Sequence, residues 1–289
     1  MSYVDEEIAS QPECWTRAIE LASRTTTLPE PGERVAVVGC GTSWFMAQSY
    51  ATLREALGQG ETDAFAASEF PAGRAYDRLI AISRSGTTSE VVALLDRIST
   101  PSTAVIGVAG TPIDDLADAS VVLDFADERS VVQTRYATSA LALLRAHLGE
   151  DLTVAIADAR IALGSDLPID LDDIEQITYL GRGWTVGLAH EAGLKMREAA
   201  TFWTESYPAM EYRHGPISIT GPNRAAWMFG DAPEGLAADV AATGGQFIDS
   251  HLDPLADLVR AQRVAIELAT RRGLDPDNPR HLTRSVILP

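Results

Sequence analysis

Glu191, Lys195 and Glu198 lie in the stretch Leu188-Ala-His-Glu-Ala-Gly-Leu-Lys-Met-Arg-Glu198, and His214-Gly215-Pro216 follows, its histidine sixteen positions past Glu198. If the stretch is helical, the three charged residues fall at i, i+4 and i+7 and share one face. Two carboxylates, an ammonium and a nearby imidazole form a candidate acid/base set. A solvated face with helix-stabilising ion pairs would show the same spacing. One observation sets Lys195 apart: it is the only lysine in the chain, beside many arginines. Lys and Arg are not interchangeable where a compact donor or a titratable amine is needed.

The elements that must position this set alternate between strands and helices. Arg34-Val-Ala-Val-Val38 is a β-branched run suited to a buried strand. Gly39-Cys-Gly-Thr-Ser43 and a helical pattern from Trp44 to Leu57 follow at once. Such a strand, loop and helix aim backbone amides and a helix dipole at one spot, where Thr42 and Ser43 add hydroxyls. Loops like this also serve only as connections, and the fuller dinucleotide fingerprint is missing. Thr62–Ala67 and Arg78–Ile82 read as further strands. The latter runs into Ser83-Arg-Ser-Gly-Thr-Thr88 and a helix over Ser89–Ile98. Hydroxyls with Arg84 suit a phosphate cradle, since hydroxyls and amides donate while a guanidinium adds a fork-shaped cation. The alternative is a hydroxyl-rich turn facing water. Ligands of open α/β sheets bind at such strand ends.

Thr103–Gly107 and Ser120–Leu123 complete a five-strand alternation. Glu128–Thr134 is polar and β-branched, a pocket wall or only a loop, ahead of an apolar helix over Tyr136–Leu148. The second lobe begins at Glu175–Leu180 with the turn Gly181-Arg-Gly183. Phe202–Glu205, Arg224–Phe229 and Gln246–Ile248 read as strands, and Glu234–Ala242 and Leu255–Arg271 as helices. The chain thus divides into a helical arm (1–30), a first lobe (31–150), a linker helix (151–170) and a second lobe (171–289). Two lobes on one strand–turn–helix plan suggest an internal duplication without a strict repeat.

With 289 residues the chain is long enough for two such lobes. A net charge of −18 argues against nucleic acid or an anionic membrane as partner. Any phosphate pocket must be organised locally, against that field. Cys14 and Cys40 suggest a reducing compartment and offer no metal-ligand spacing. Without a signal-like N-terminus or a long apolar run, a soluble cytoplasmic protein is expected.

These residues carry a resemblance. The chain resembles the double sugar-isomerase-domain (SIS) family, above all the isomerase half of glucosamine-6-phosphate synthase and its stand-alone relatives. The matching stretches are Val38–Ser43, Ala67–Phe70, Ser83–Thr88, Leu180–Gly183, Glu191–Glu198, His214–Pro216 and Asp277–Leu282, in order over nearly the whole chain. The resemblance implies α/β architecture, with two flavodoxin-like lobes of parallel sheet flanked by helices. It implies a sugar-phosphate site at the lobe junction, no metal, no organic cofactor, and a homodimer with composite sites to which His214 is lent by the other copy. Ser83, Ser85 and Thr88 match phosphate-holding positions, and Thr42 and Ser43 match sugar- or phosphate-contacting ones. Val131 and Val132 match a wall beside the sugar. Glu198 matches the carboxylate that moves a proton between C1 and C2, Lys195 a lysine beside it, and His214 the ring-opening histidine. Such chemistry passes through an enediol or enolamine, which a desolvated Glu and a neutral-pH histidine suit.

The sequence departs from the synthase in four ways. No glutamine-hydrolysing domain or N-terminal cysteine is present, so this chain alone is not expected to draw ammonia from glutamine. Arg284 stands where the synthase has its Schiff-base lysine, which makes it a candidate substrate-binding residue, although arginine forms no imine under these conditions. Arg84 replaces a glutamine, as in the deaminase and ketose–aldose isomerase relatives. The stretch between His214 and the last helix is short, so the second sheet is expected to lack an element. The leading expectation is an isomerase, deaminase or deglycase acting on a phosphorylated amino sugar or sugar–amine adduct. The alternative is a non-catalytic sugar-phosphate sensor. A lyase acting on a muramic acid phosphate shares the fold but fits the His-Gly-Pro and Pro-Arg-His-Leu motifs less well.

Overall fold

The computed structural model describes residues 2–288. Two helices open the chain, α1 (Tyr3–Ala9) and α2 (Gln11–Ala22). Ser2 and Asp5 form a capping box on α1. Ser10 ends α1 and starts α2, whose first turn holds Pro12, where its missing N–H costs no helix bond. Val4, Ile8 and Trp15 are buried in the main core, so the segment expected as an arm packs into the body.

The first lobe comprises β1 (Val35–Gly39), α3 (Thr42–Ala56), β2 (Thr62–Ala66), β3 (Arg78–Ser83), α4 (Ser89–Leu95), β4 (Ser102–Ile106), α5 (Pro112–Leu116) and β5 (Ala119–Val122). Its five strands are parallel in the order β2-β1-β3-β4-β5. β1 and β4 are buried throughout, as strands covered on both faces must be. The period of two sends Val35, Val37, Ile80 and Ile82 into the main core, and Ala36, Val38, Leu79 and Ala81 into a separate core on the other face.

After α6 (Arg135–His147), packed on α2, and α7 (Thr153–Gly164), the second lobe follows. It comprises β6 (Gln176–Gly181), α8 (Thr185–Ala200), β7 (Thr204–Pro208), β8 (Arg224–Met228), α9 (Leu236–Ala242), β9 (Gln246–Ile248) and α10 (Pro254–Arg271). Its four parallel strands run β7-β6-β8-β9, the order of the first four strands of the first sheet with the outer strand left out. β7 starts two residues later than the pattern predicts. α8 runs to Ala200 and ends on Thr201 in the left-handed region (φ 49°), with the Phe202 amide donating to Met196 O. Phe202 is therefore a buried helix-cap residue under Arg272, and Trp203 stays exposed. Among the described residues no helix is long and apolar enough to cross a membrane.

The lobes meet through α3 and α8, which run antiparallel. Thr42 meets Lys195 at one end, and Ser49 Oγ donates to Trp184 O at the other. A Cβ at Gly187 would lie 2.3 Å from Ser49 Oγ and 2.4 Å from Phe45 O, so glycine is what lets the two helices approach this closely. The last turn of α8 consequently lies over the C-terminal edge of the first sheet. Its first turn lies at the C-terminal edge of its own sheet.

Candidate active site

α8 presents Glu191, Lys195 and Glu198 on one face, and that face is buried rather than solvated. Lys195 Nζ lies 2.5 Å from Glu198 Oε2 and 3.4 Å from Glu191 Oε1, and donates to Thr42 Oγ1 at 3.1 Å. Lys195 and Glu191 are sealed from solvent, whereas the Glu198 side chain is 20% exposed. Glu198 opens onto a cleft of 30 Å³ shared with Thr201, Leu274, Asp275, Asn278 and Arg280. Burial raises the Glu191 carboxyl to about 7 against the opposing pull of Lys195, and neither of its oxygens accepts a hydrogen bond. Burial also disfavours the Lys195 ammonium, but Glu191 and Glu198 outweigh it and hold its pKa above the ordinary value. The set therefore contains one fixed cation and one carboxyl that titrates near neutrality.

β1 and β3 are neighbours, so the Gly39–Ser43 and Ser83–Thr88 loops leave the same sheet edge. Thr42 and Ser43 are buried at the start of α3. In the second loop Ser83 Oγ accepts from Gly86 N at 3.2 Å and lies 3.4 Å from Thr88 Oγ1. Gly86 has φ +67°, and a Cβ there would lie 2.1 Å from Thr111 Oγ1, so the tight turn that gathers the hydroxyls requires glycine. The C-terminal tail crosses this loop. Ser89 N donates to Val286 O at 3.1 Å, and Leu288 N to Ser89 Oγ at 2.8 Å.

Two arginines are placed differently from the sequence expectation. Arg84 adds no cation to the loop's hydroxyls. Its guanidinium turns inward, 2% exposed, donating from Nη1 to Ser130 O (2.9 Å) and Val131 O (3.2 Å) and from Nη2 to Arg284 O (2.8 Å). The reason is the buried Glu128 carboxylate 3.7 Å away, which a cation must accompany. Burial lowers the Arg84 pKa and raises that of Glu128, and each partner opposes the other's shift. Arg284, the second case, bonds the Glu128 carbonyl and the Asp127 carboxylate. Its guanidinium thus anchors the tail to the Asp127–Glu128 segment. Val131, half-buried just beyond it, donates its amide to Asp277 O at 3.0 Å.

Two acids hold the 128–131 segment and α1 in place, and the sequence alone assigns neither of them a role. Glu7 of α1, 3% exposed, accepts from Arg129 N at 2.6 Å and from the Ser130 amide and hydroxyl. Asp277 caps α1 through Tyr3 N (2.9 Å) and Val4 N (2.8 Å). The one local signal was an acid at Glu7 beside the apolar positions Val4 and Ile8.

His214 stands apart from the set. It ends a one-turn 3₁₀ helix after β7, exposed, beside Arg213, which bonds Asp239 Oδ2 at 2.7 Å. That is the C-terminal edge of the second sheet, where Ala209 N donates to Gly181 O. Most of α8 separates this edge from Glu198, on the order of 20 Å at 1.5 Å per residue.

No family model matches the chain. Among curated proteins, the glutamine–fructose-6-phosphate aminotransferase (isomerizing) of Gloeobacter violaceus is 28% identical over 89% of this chain and 52% of its own length. That of Caulobacter vibrioides is 24% identical over 99% of this chain and 59% of its own length. The chain spans about half the length of the curated relatives it matches. Among solved structures, the C-terminal domain of glucosamine-fructose-6-phosphate aminotransferase from Francisella tularensis matches with TM-score 0.83 at 21% identity, over 96% of this chain and 98% of that one. Glucosamine-6-phosphate deaminase from Thermotoga maritima matches with 0.82 at 22%, over 98% and 99%. Tagatose-6-phosphate ketose/aldose isomerase from Escherichia coli matches with 0.81 at 19%, over 99% and 96%. The chain therefore has the α/β fold of these proteins, with two parallel sheets flanked by helices.

Proposed function

We propose that this chain catalyses enolisation of a sugar 6-phosphate, acting on an amino-sugar or ketosamine phosphate as an isomerase, deaminase or deglycase. The supporting observation is the Lys195–Glu198 pair, sunk at the lobe junction against Thr42 and over the sheet edge that bears the Ser83–Thr88 hydroxyls. In this reading the hydroxyls of Ser83, Ser85 and Thr88 hold the phosphate. Thr42 and Ser43 meet the sugar, and Val131 lines its flank. Glu198 carries a proton between C1 and C2. Lys195 fixes that carboxylate and offsets oxyanion charge as the enediol or enolamine forms. The lobes 31–150 and 171–289, joined through 151–170, each supply part of the site.

His214 opens the ring or protonates the leaving amine, and it does so in a second copy. The support is distance: its own Glu198 is on the order of 20 Å away along α8, so a homodimer with composite sites is the assembly that brings the two together. Arg284 forms no imine, so the synthase's imine step at that position is lost or unnecessary here.

The test is deuterium exchange in D₂O with fructose 6-phosphate, glucosamine 6-phosphate and a fructosyl-amine 6-phosphate, with Glu198→Gln as control. Exchange at C1 or C2 that the control lacks supports enolisation and names the sugar. Binding of all three without exchange would instead favour a sensor.

A further inference from the structure

We propose that Ser285, held in place by the C-terminal strap, is itself a phosphate-binding residue, and that Arg84 and Arg284 form the latch that holds it there. The proposal rests on the sugar-phosphate reading above. Ser285 Oγ lies 3.1 Å from Ser85 Oγ and 3.0 Å from Thr87 Oγ1, and those two lie 3.1 Å from each other. The result is a triangle of hydroxyls, two from the loop and one from the tail, about 200 residues away in sequence.

Within the triangle Ser85 and Thr87 donate to neutral hydroxyl oxygens, while Ser285 Oγ accepts from both and keeps its own single proton for another acceptor. A phosphate oxygen is a stronger, charged acceptor. A dianion entering the loop therefore draws all three donors, the tail's included.

The strap's position is set by polar contacts and not by apolar burial. Val286, Ile287 and Leu288 are 52%, 71% and 57% exposed. Polar contacts grip the chain on both sides of Ser285. Before it, Arg84 Nη2 holds the Arg284 carbonyl at 2.8 Å, and the Arg284 guanidinium grips Asp127 and the Glu128 carbonyl. After it, Ser89 holds the Val286 carbonyl and the Leu288 amide. A strap that buries little apolar area yet fixes one hydroxyl within reach of the loop is built to deliver that hydroxyl. Arg84, turned inward by Glu128, thereby also serves the phosphate site through the tail.

The experiment is calorimetric titration of the full chain with inorganic phosphate, fructose 6-phosphate and unphosphorylated fructose, using wild type, Ser285→Ala, Ser285→Thr and Ser85→Ala. Losing one hydrogen bond to a charged group weakens both phosphorylated ligands about tenfold in Ser285→Ala and by the same factor, with fructose unaffected. Ser285→Thr keeps most of the affinity. Arg284→Ala, which retains every hydroxyl but frees the strap, also weakens both, and it serves as the check should Ser285→Ala fold poorly. If Ser85→Ala weakens binding while Ser285→Ala leaves it unchanged, the proposal falls and the site reading stands. Tighter binding by Ser285→Ala would mean the strap competes with phosphate, which also overturns it. Absence of phosphate binding by wild type removes the site reading and this proposal together.

Discussion

Lys195 of α8 donates to Thr42 of α3 across the lobe junction, 3.1 Å from ammonium to hydroxyl. The single lysine of the chain thus ties the second lobe's acid pair to the start of α3 in the first lobe. Its removal leaves Glu191 buried without a cation. Lys195→Met is expected to destabilise the chain by about 3–5 kcal/mol, the usual result of breaking one side of a buried pair. Adding Glu191→Gln recovers much of that loss, because an amide is far less costly to bury than an unpaired carboxylate. Urea unfolding of the two single variants and the double variant measures the coupling.

Glu198→Gln separates binding from chemistry. A proton-transfer residue contributes about 10²–10⁴ in rate, so kcat falls by that factor while ligand affinity changes little. Steady-state kinetics alongside calorimetry read the two effects, and a parallel loss of affinity would recast Glu198 as a binding residue.

Mixing subunits tests the composite site. Glu198→Gln and His214→Ala proteins are each inactive in this reading. Unfolded and refolded together in equal amounts, they form mixed dimers in which one of the two sites has both residues intact. Random pairing restores about a quarter of wild-type activity. No recovery, with mixed dimers verified by mass spectrometry, overturns the composite site, and a His214→Ala protein that keeps its activity on its own places His214 outside the chemistry.

Glu191 predicts a pH dependence of stability. Its folded pKa of about 7 stands above the ordinary 4.5, so between those values the folded chain binds more protons than the unfolded one. Stability falls as pH rises through that window and levels off above it, by on the order of 3 kcal/mol. Lys195 acts in a different window. Its raised pKa contributes stability below about 10.5 that is lost at higher pH. Urea midpoints from pH 4.5 to 8 are expected to decline more in wild type than in Glu191→Gln.

Arg84→Ala is expected to lower stability by about 3–5 kcal/mol, since it strands the Glu128 carboxylate in the interior. It also frees the carbonyls of Ser130, Val131 and Arg284. Thermal melts at pH 7 check this. A shift no larger than that of an ordinary surface substitution would return Arg84 to the loop as a ligand residue.

Local rules made much of this legible beforehand. β1, β3 and β6 are short, largely apolar runs ending in small residues, and β4 is followed by Gly107, which is how a doubly covered parallel strand reads. The single face of Glu191, Lys195 and Glu198 follows from the helical period alone, as the hydroxyl cluster of Ser83–Thr88 follows from adjacency. What adjacency cannot supply is the partner across the fold. Nothing near Arg84 in sequence indicates that Glu128 needs its charge, so it read as a loop cation when burial had already committed it elsewhere. Ser285 meets Ser85 only because the tail returns over the first sheet. His214 is sixteen positions from Glu198 in sequence yet at the far end of α8, because the chain between them passes through a whole strand. Helix and strand identity arise from interactions over a few residues. Direction, pairing and ionisation are decided by which distant groups share a buried space, and only the packed chain determines that.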